Sequence, residues 1–354
     1  MHPYIPVAVT GPIQDIKITD EILHWWPWIA DIQNKSVYLM LCAQWKWDGS
    51  YPDAPPPGYD YYITHGDSYM FGFPEHIASK VNGRIIHLTG SIIPDSLDTD
   101  QIQYVSYNNI HQRIMGIPRT RPWVKDIQYK ASALNNRVTQ SKAIVFAALK
   151  QYLGDDCVTA LHHNLYRPKD IHSWDPTGNA TCDYFSEQFQ TTWNHQKLQL
   201  PKDDDIEGSY NNTAYRQAAL NFTQESYHYS FTQHNGRAIC RPGPFITEKT
   251  WKCLLSGTAF VSVGQAYVYR WLGSLGLEFD YGPLDLAFDE DVGDLTRLEK
   301  IVDLVKSLQA WSAADLYEMT RVSTEHNQQW IQSKDFRLIC ERSNDTVHNL
   351  LATL

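Results

Sequence analysis

The sequence lacks the features that mark a zinc site, a membrane span or an exported protein. Its six cysteines are scattered, with no CxxC pair and no spacing typical of zinc ligands. No window approaches the roughly 18 apolar residues of a membrane span, and no basic segment followed by an apolar run opens the chain. We therefore expect a cytoplasmic protein with reduced thiols, no bound metal and no membrane partner.

Positive charge is scarce overall but concentrated in one segment. The net charge of −10 argues against a protein that coats nucleic acid. Residues 101–150, in contrast, have a net charge of +7, because Asp126 alone opposes eight basic residues: Arg113, Arg119, Arg121, Lys125, Lys130, Arg137, Lys142 and Lys150. Such a segment either faces an anion or forms a solvated basic surface, and the sequence leaves both interpretations open.

The order of apolar runs and helical patterns predicts an α/β fold. At 354 residues the chain is long enough for two domains. Apolar runs predict strands at 36–42, 59–64, 84–90 and 102–108, separated by Pro/Gly-rich loops and short helices. After residue 125 a second block begins, with a helix at 141–153, a strand at 157–164 and another at 227–233. We expect two doubly wound halves with a boundary near residue 125.

A third group of elements follows at FITEKTWKCLLSGTAFVSVGQ, residues 245–265. Thr247 is a plausible N-cap for a helix at 248–256, Gly257 ends it, and a continuous apolar strand comes next. A further helix ends at Gly276, an amphipathic helix is predicted at 294–316, and the tail to Leu354 is predicted to be helical.

The start of the helix at 248–256 has the chemistry of a phosphate site. A helix that begins after a loop presents unpaired N–H groups and the positive end of its dipole. Lys249 in the first turn is unfavourable for that dipole unless an anion such as a diphosphate accompanies it. Glu248 is suited to ribose hydroxyls, as acidic residues are in dinucleotide folds. Ordinary capping by a first-turn glutamate is the alternative.

Read together, residues 227–235 (YHYSFTQHN) and 245–265 resemble the donor-binding signature of the α1,3-fucosyltransferases. The similarity is closer to phage-borne glycosyltransferases with an FTEKTWK motif. In these enzymes the motif is followed by a glycine turn, an apolar strand ending in Gly and a further downstream segment, which YRWLGSLGL, residues 269–277, resembles here. Their upstream block resembles LNNRVTQSK, residues 134–142. The resemblance covers about residues 130–310.

This resemblance implies a GT-B architecture of two Rossmann-like domains with a central cleft. An acceptor-binding domain would span 1–125, a nucleotide-sugar domain 126–320 and a helical tail 321–354. The donor would be a UDP- or GDP-linked sugar bound without metal, since helix dipoles and basic side chains stabilise the leaving diphosphate. The residues expected to bind it are Arg137, Lys142, Arg241, Glu248 and Lys249.

Two departures from the family pattern concern the segment before the helix. The family has a Phe-Glu-Asn-Ser-like turn, and the matching turn at Phe231 to Asn235 contains no carboxylate. An inserted loop, HNGRAICRPGP, then carries Arg237 and Arg241, which are either phosphate-binding or solvent-exposed.

The catalytic base and the acceptor are expected in the N-terminal part. Inverting transfer needs a base for the acceptor hydroxyl, and His65 and Asp67 follow a predicted strand on either side of Gly66. The tight Gly66 would aim one of the two into the cleft, and Asp67 is preferred because the resemblance to the fucosyltransferases implies a carboxylate base. The alternative is a polar turn without a chemical role. The resemblance to phage enzymes favours 5-hydroxymethylpyrimidine in DNA as the acceptor, reached by base flipping. A glycan or lipid-linked sugar acceptor remains open, as does a catalytically inactive sugar-binding protein.

Overall fold

The computed structural model describes residues 8–41, 53–66, 72–89, 98–106, 125–135, 139–161, 176–193, 213–225, 231–234, 237–240 and 243–352. By its internal contacts the chain divides into two compact units. The first contains Met1–Gly116, Tyr229–Phe245 and Arg337–Leu354, and the second contains Ile117–His228 and Ile246–Phe336. Both have parallel strands and helices, as the sequence predicts for an α/β fold.

The first unit is built on a five-stranded sheet whose strands lie in chain order. They are β1 (Val9–Pro12), β2 (Val37–Leu41), β3 (Tyr61–Gly66), β4 (Arg84–Thr89) and β5 (Ile102–Ser106). Only β1 pairs antiparallel; β2 to β5 are parallel neighbours. The four strands predicted in this part of the sequence are confirmed.

Both faces of this sheet are covered, which explains why its strands read as continuous apolar runs. The helix α1 (Asp20–Trp25) precedes a turn whose Trp28 and Ile29 pack on one face with Leu39 and Ile63. The same cluster contains Val347 and Leu351 from the C-terminal helix. The helix α2 (Phe73–Ala78) covers the other face, where Met40 and Tyr62 point.

The second unit is built on a four-stranded sheet, all parallel, in the order β11-β8-β6-β7. The strands are β6 (Tyr129–Asn135), β7 (Cys157–Leu161), β8 (Ala218–Gln224) and β11 (Ala259–Val263). The remaining strands, β9 (Phe231–His234) and β10 (Arg237–Cys240), form an antiparallel hairpin in the first unit.

Helices lie on both faces of this second sheet. They are α3 (Gln140–Leu153), α4 (Ala180–Gln188), α5 (Glu248–Ser256), α6 (Val268–Ser274), α7 (Asp294–Ser307) and α8 (Ala313–Ile331). The last helix, α9 (Lys334–Ala352), belongs to the first unit from Arg337 onward. One layer consists of α3 packed against α4 and α7, and the other consists of α5 packed against α8. Among the helices of the described residues, none is long and apolar enough to cross a membrane.

Two sequence predictions need correction. The predicted strand at 227–233 is not part of the main sheet, because its described end belongs to the β9 hairpin. The helix predicted at 294–316 is two helices. It ends at Ser307, and Ser312 begins α8 with a capping box in which the Ser312 side chain and Asp315 bond each other's backbone N–H.

Candidate functional site

The second sheet reverses its strand order at β6, and this defines a crevice. From β6 the chain passes through α3 to β7 on one side, while β8 lies on the other side and continues through α5 to β11. Extending the observed pairing of Ser132 with Asn221 by three residues places Asn135 level with Gln224. The carboxyl ends of β6 and β8 therefore lie side by side where α3 and α5 depart to opposite faces. Open α/β sheets bind ligands at such a point.

The start of α3 forms one wall of this crevice. Its N-cap, Thr139, has extended backbone, and its side chain caps no backbone N–H of the first turn. The Thr139 hydroxyl lies 3.2 Å from the Ser141 hydroxyl instead. Lys142 is in the first turn and is buried. A helix start without a side-chain cap, next to a lysine, favours an anion.

The start of α5 forms the other wall and already contains a buried carboxylate. Glu225, the residue after β8, is 1% exposed. One of its oxygens accepts from the backbone N–H of Thr247 at 3.2 Å and from the Thr247 hydroxyl. The other accepts from the Thr250 hydroxyl at 2.6 Å. This carboxylate therefore ties the end of β8 to the first turn of α5.

Lys249 belongs to the same hydrogen-bonded group. Its backbone N–H donates to the Thr247 hydroxyl oxygen at 3.4 Å, and its Nζ donates to the same oxygen at 3.2 Å. The Lys249 side chain thus turns back towards the helix start, and Glu225 is an anion on the other side of Thr247. Because the Glu225 carboxylate bonds to the same Thr247, the position of Lys249 does not by itself require an external anion. The structure describes only the backbone of Glu248, as the first residue of α5.

A row of polar side chains leads along β8 to this group. Asn221 donates to the Ser132 hydroxyl at 2.9 Å, and the Thr223 hydroxyl donates to Asn221 Oδ1 at 3.3 Å. Thr223 also contacts Cys253 of α5, with Oγ1 3.5 Å from Sγ. Alternate residues of a strand face the same side, so Asn221, Thr223 and Glu225 together form the surface on which α5 sits.

Glu225 is a site residue that the sequence analysis missed. The strand that pairs with β11 is β8, not the segment at 227–233. The residue directly after β8 is thus a carboxylate that contacts the start of α5. The run AALNFTQES, which begins at Ala218, contains the signal: a buried strand followed at once by an acidic residue.

The predicted catalytic residues belong to the first unit. His65 lies near the end of β3, is 2% exposed and meets the ring of Trp26 edge-on at 5.9 Å. On the neighbouring strand, His87 Nδ1 lies 2.7 Å from the Thr64 hydroxyl. Burial, and to a lesser extent the nearby His65, lower the pKa of His87 to about 3. His65 is therefore a core residue in this structure, while Asp67 lies outside the described residues.

The structure describes only some of the other residues predicted to bind the donor. Arg137 and Arg241 lie outside the described residues, whereas Lys142 and Lys249 are on opposite walls of the crevice. Within the described part of the chain, no group of three or more His, Cys, Asp or Glu side chains is arranged to hold a metal ion.

Two lysines of the basic segment that the structure describes bond within the protein. Lys125 donates to the Tyr215 carbonyl at 2.6 Å and to the Thr258 hydroxyl at 2.7 Å, and burial lowers its pKa to about 7. Lys130 pairs with Asp156 at 3.2 Å. These two lysines therefore bond within the second unit.

Comparison with known proteins identifies no relative of this chain. No protein-family model, no curated protein and no solved structure matches the chain.

Proposed function

We propose that the protein is a Leloir-type glycosyltransferase with Rossmann-like domains, whose second unit binds the diphosphate of a nucleotide sugar. The observation that carries this proposal is the reversal of strand order at β6. The crevice it creates adjoins the same helix start that holds the ITEK sequence, Ile246 to Lys249. Two independent arguments, one from topology and one from sequence resemblance, thus select the same edge of the sheet.

The geometry favours the start of α3 over the start of α5 as the main diphosphate site. Thr139 leaves the first turn of α3 without a side-chain cap, and the buried Lys142 adds a positive charge. At α5, by contrast, Thr247 N–H and Lys249 N–H already have acceptors. We expect Lys249 to contribute its ammonium group from the opposite wall, Arg137 to contact the same diphosphate, and Glu248 to contact the ribose. Arg241 is retained as a further candidate cation.

The reaction we propose is transfer with inversion. An acceptor oxygen forms a bond to the anomeric carbon, the bond from that carbon to the diphosphate oxygen breaks, and its electron pair leaves with the diphosphate. Cations and oriented N–H groups stabilise that developing charge. A base takes the acceptor proton. Asp67 is the first candidate, because the imidazole of His65 is buried against Trp26.

For the acceptor we propose 5-hydroxymethylpyrimidine in DNA, on the resemblance to phage enzymes. Fewer basic residues support a DNA acceptor than the sequence indicated, because Lys125 and Lys130 bond to other residues of the protein. The proposed DNA contacts are therefore Arg113, Arg119 and Arg121, which lie outside the described residues.

Calorimetric titration with UDP, GDP and their sugar conjugates tests the donor site. Lys249→Ala should weaken nucleotide binding by roughly 1 to 3 kcal/mol, because it removes a charge-assisted contact. Lys252→Ala, one turn further along α5, is the matched control and should leave the affinity within about twofold. Equal affinity of the Lys249 variant and the parent protein would refute this role for Lys249, and no binding of any nucleotide would refute the proposed donor site.

A transfer assay then separates the acceptor classes. The protein and the nucleotide sugar that it binds are incubated with hydroxymethylated DNA, unmodified DNA or oligosaccharides. The products are then digested and analysed by mass spectrometry. A nucleoside that gains a sugar mass supports the DNA acceptor, and Asp67→Asn should abolish that gain while donor binding persists. A sugar on the oligosaccharide alone would replace the DNA proposal with a fucosyltransferase-like one. Donor binding without any transfer would indicate a sugar-binding protein.

A further inference from the structure

We propose that Tyr267 is the stacking platform for the nucleobase of the donor. This inference rests on the proposed function, because it concerns a ligand bound at the same edge of the second sheet. Nothing in the family resemblance assigns a role to this residue.

The backbone of Tyr267 is the first observation. Its φ of 70° lies in the left-handed region, and no other residue except glycine has a positive φ in the described part of the chain. A side chain with a Cβ is disfavoured in this conformation. Such residues persist where the surrounding structure forces them, and they concentrate at ligand sites. A bulky aromatic residue here, where glycine would fit without strain, calls for a function of its ring.

Two buried charged residues hold the loop that carries Tyr267. Arg297 is 1% exposed, and its Nε donates to the carbonyl of Gly264, directly after β11, at 3.0 Å. Asp289 is also buried, and its carboxylate oxygens accept from the N–H groups of Val268 and Tyr269, both at 2.9 Å. The Asp289 carbonyl accepts from Tyr267 N–H at 2.8 Å. These bonds anchor the backbone of Tyr267 and thereby fix the direction of its Cα–Cβ bond.

The ring itself is half-buried and lies beside a cation. The guanidinium of the exposed Arg270 lies 5.6 Å from the ring centroid. This guanidinium lies over one face of the ring, and it is also 4.0 Å from the Glu290 carboxylate. The nucleobase is therefore assigned to the opposite face of the ring, since base–aromatic stacking needs one planar apolar face.

The position of the loop fits this role. Tyr267 follows β11, the immediate neighbour of β8, at the carboxyl edge of a parallel sheet. Neighbouring strands are roughly 4.8 Å apart, so the end of β11 is about 7 Å from the middle of the crevice between β6 and β8. Tyr267 lies four residues beyond this strand end, in the loop before α6. We assign this loop to the nucleobase of a ligand whose phosphates occupy the crevice.

Titration of nucleotide and base-free ligands tests the inference. The ligands are UDP, GDP and inorganic pyrophosphate, and the variants are Tyr267→Gly and Tyr267→Phe. Glycine tolerates the left-handed backbone, so the first variant removes the ring without adding strain. We expect it to raise the Kd of the better nucleotide about tenfold and the Kd of pyrophosphate less than twofold. Tyr267→Phe should bind like the parent protein, and Tyr184→Ala, which removes a half-exposed tyrosine from α4, serves as the control.

The outcomes are distinguishable. Unchanged nucleotide affinity in Tyr267→Gly would overturn the stacking role while leaving the donor site intact. Equal losses for nucleotide and pyrophosphate would also overturn it, because the residue would then act through the shape of the loop. Failure of the parent protein to bind either nucleotide would instead refute the proposed function, and this inference with it.

Discussion

The hydrogen bonds of Glu225 predict a graded loss of stability at the start of α5. Its carboxylate accepts three hydrogen bonds, from Thr247 N–H, the Thr247 hydroxyl and the Thr250 hydroxyl. A hydrogen bond contributes about 1 kcal/mol net, and more when one partner is charged, whereas a buried group left without a partner costs about 1 to 3 kcal/mol. Because removing the carboxylate also removes the cost of burying it, we expect Glu225→Ala to destabilise α5 by about 3 to 4 kcal/mol.

Two further variants test whether this loss has the stated cause. Glu225→Gln keeps one acceptor oxygen in place, so we expect a loss of only about 1 to 2 kcal/mol. Thr250→Val removes one of the three donors. Because Thr250 and Glu225 bond directly, the double variant Glu225→Ala/Thr250→Val should lose less stability than the sum of the two single variants, by about 1 kcal/mol or more.

Hydrogen exchange of the α5 amides is the appropriate measurement. The chain has two compact units, so a single cooperative unfolding transition is not assured, whereas amide exchange reports the opening free energy of this helix. Glu187→Ala, on the exposed side of α4, is the matched control and should change protection by less than about 0.5 kcal/mol. A Glu225→Ala effect as small as the control, or strictly additive losses in the double variant, would refute the reasoning.

Two more predictions concern buried polar side chains. Gln224 is 1% exposed, and its amide has no hydrogen-bond partner among the described residues. Gln224→Met should therefore raise the opening free energy of β8, measured by amide hydrogen exchange, by about 1 to 3 kcal/mol. The exposed Gln33→Met should be neutral, and a decrease for Gln224→Met would contradict the prediction. The pKa of His87 is about 3 in the folded protein, whereas its ordinary value is 6.5. As the pH decreases from 6.5 towards 3, the unfolded chain is protonated at His87 and the folded protein is not, so the free energy of unfolding decreases. Between pH 7 and pH 5 the parent protein should lose about 2 kcal/mol more than His87→Asn, and parallel pH profiles would contradict this.

Local pattern was sufficient for most elements of the fold. The helix at α5 was predicted to the residue, because Thr247 at its start and Gly257 at its end are strong local signals. The strands β2 to β5 were found as apolar runs, since both faces of their sheet are buried. The strands β6 and β8 were missed, because Ser132, Asn221 and Thr223 interrupt their apolar character. Those polar residues bond to each other and to α5, and such pairing cannot be inferred from one strand alone.

The sequence by itself determined that this is an α/β protein with parallel strands, and that a helix with Glu248 and Lys249 in its first turn precedes a buried strand. These properties follow from hydrophobic period and capping, which act over a few residues. The tertiary structure alone decided that β8 lies between β6 and β11, because strand order depends on how distant segments pair. That order creates the crevice and brings Glu225 against Thr247 and Thr250. Tertiary packing within the first unit likewise buries His65, and packing within the second unit holds Tyr267 in a left-handed conformation, since burial and strain arise from contacts between residues far apart in the chain.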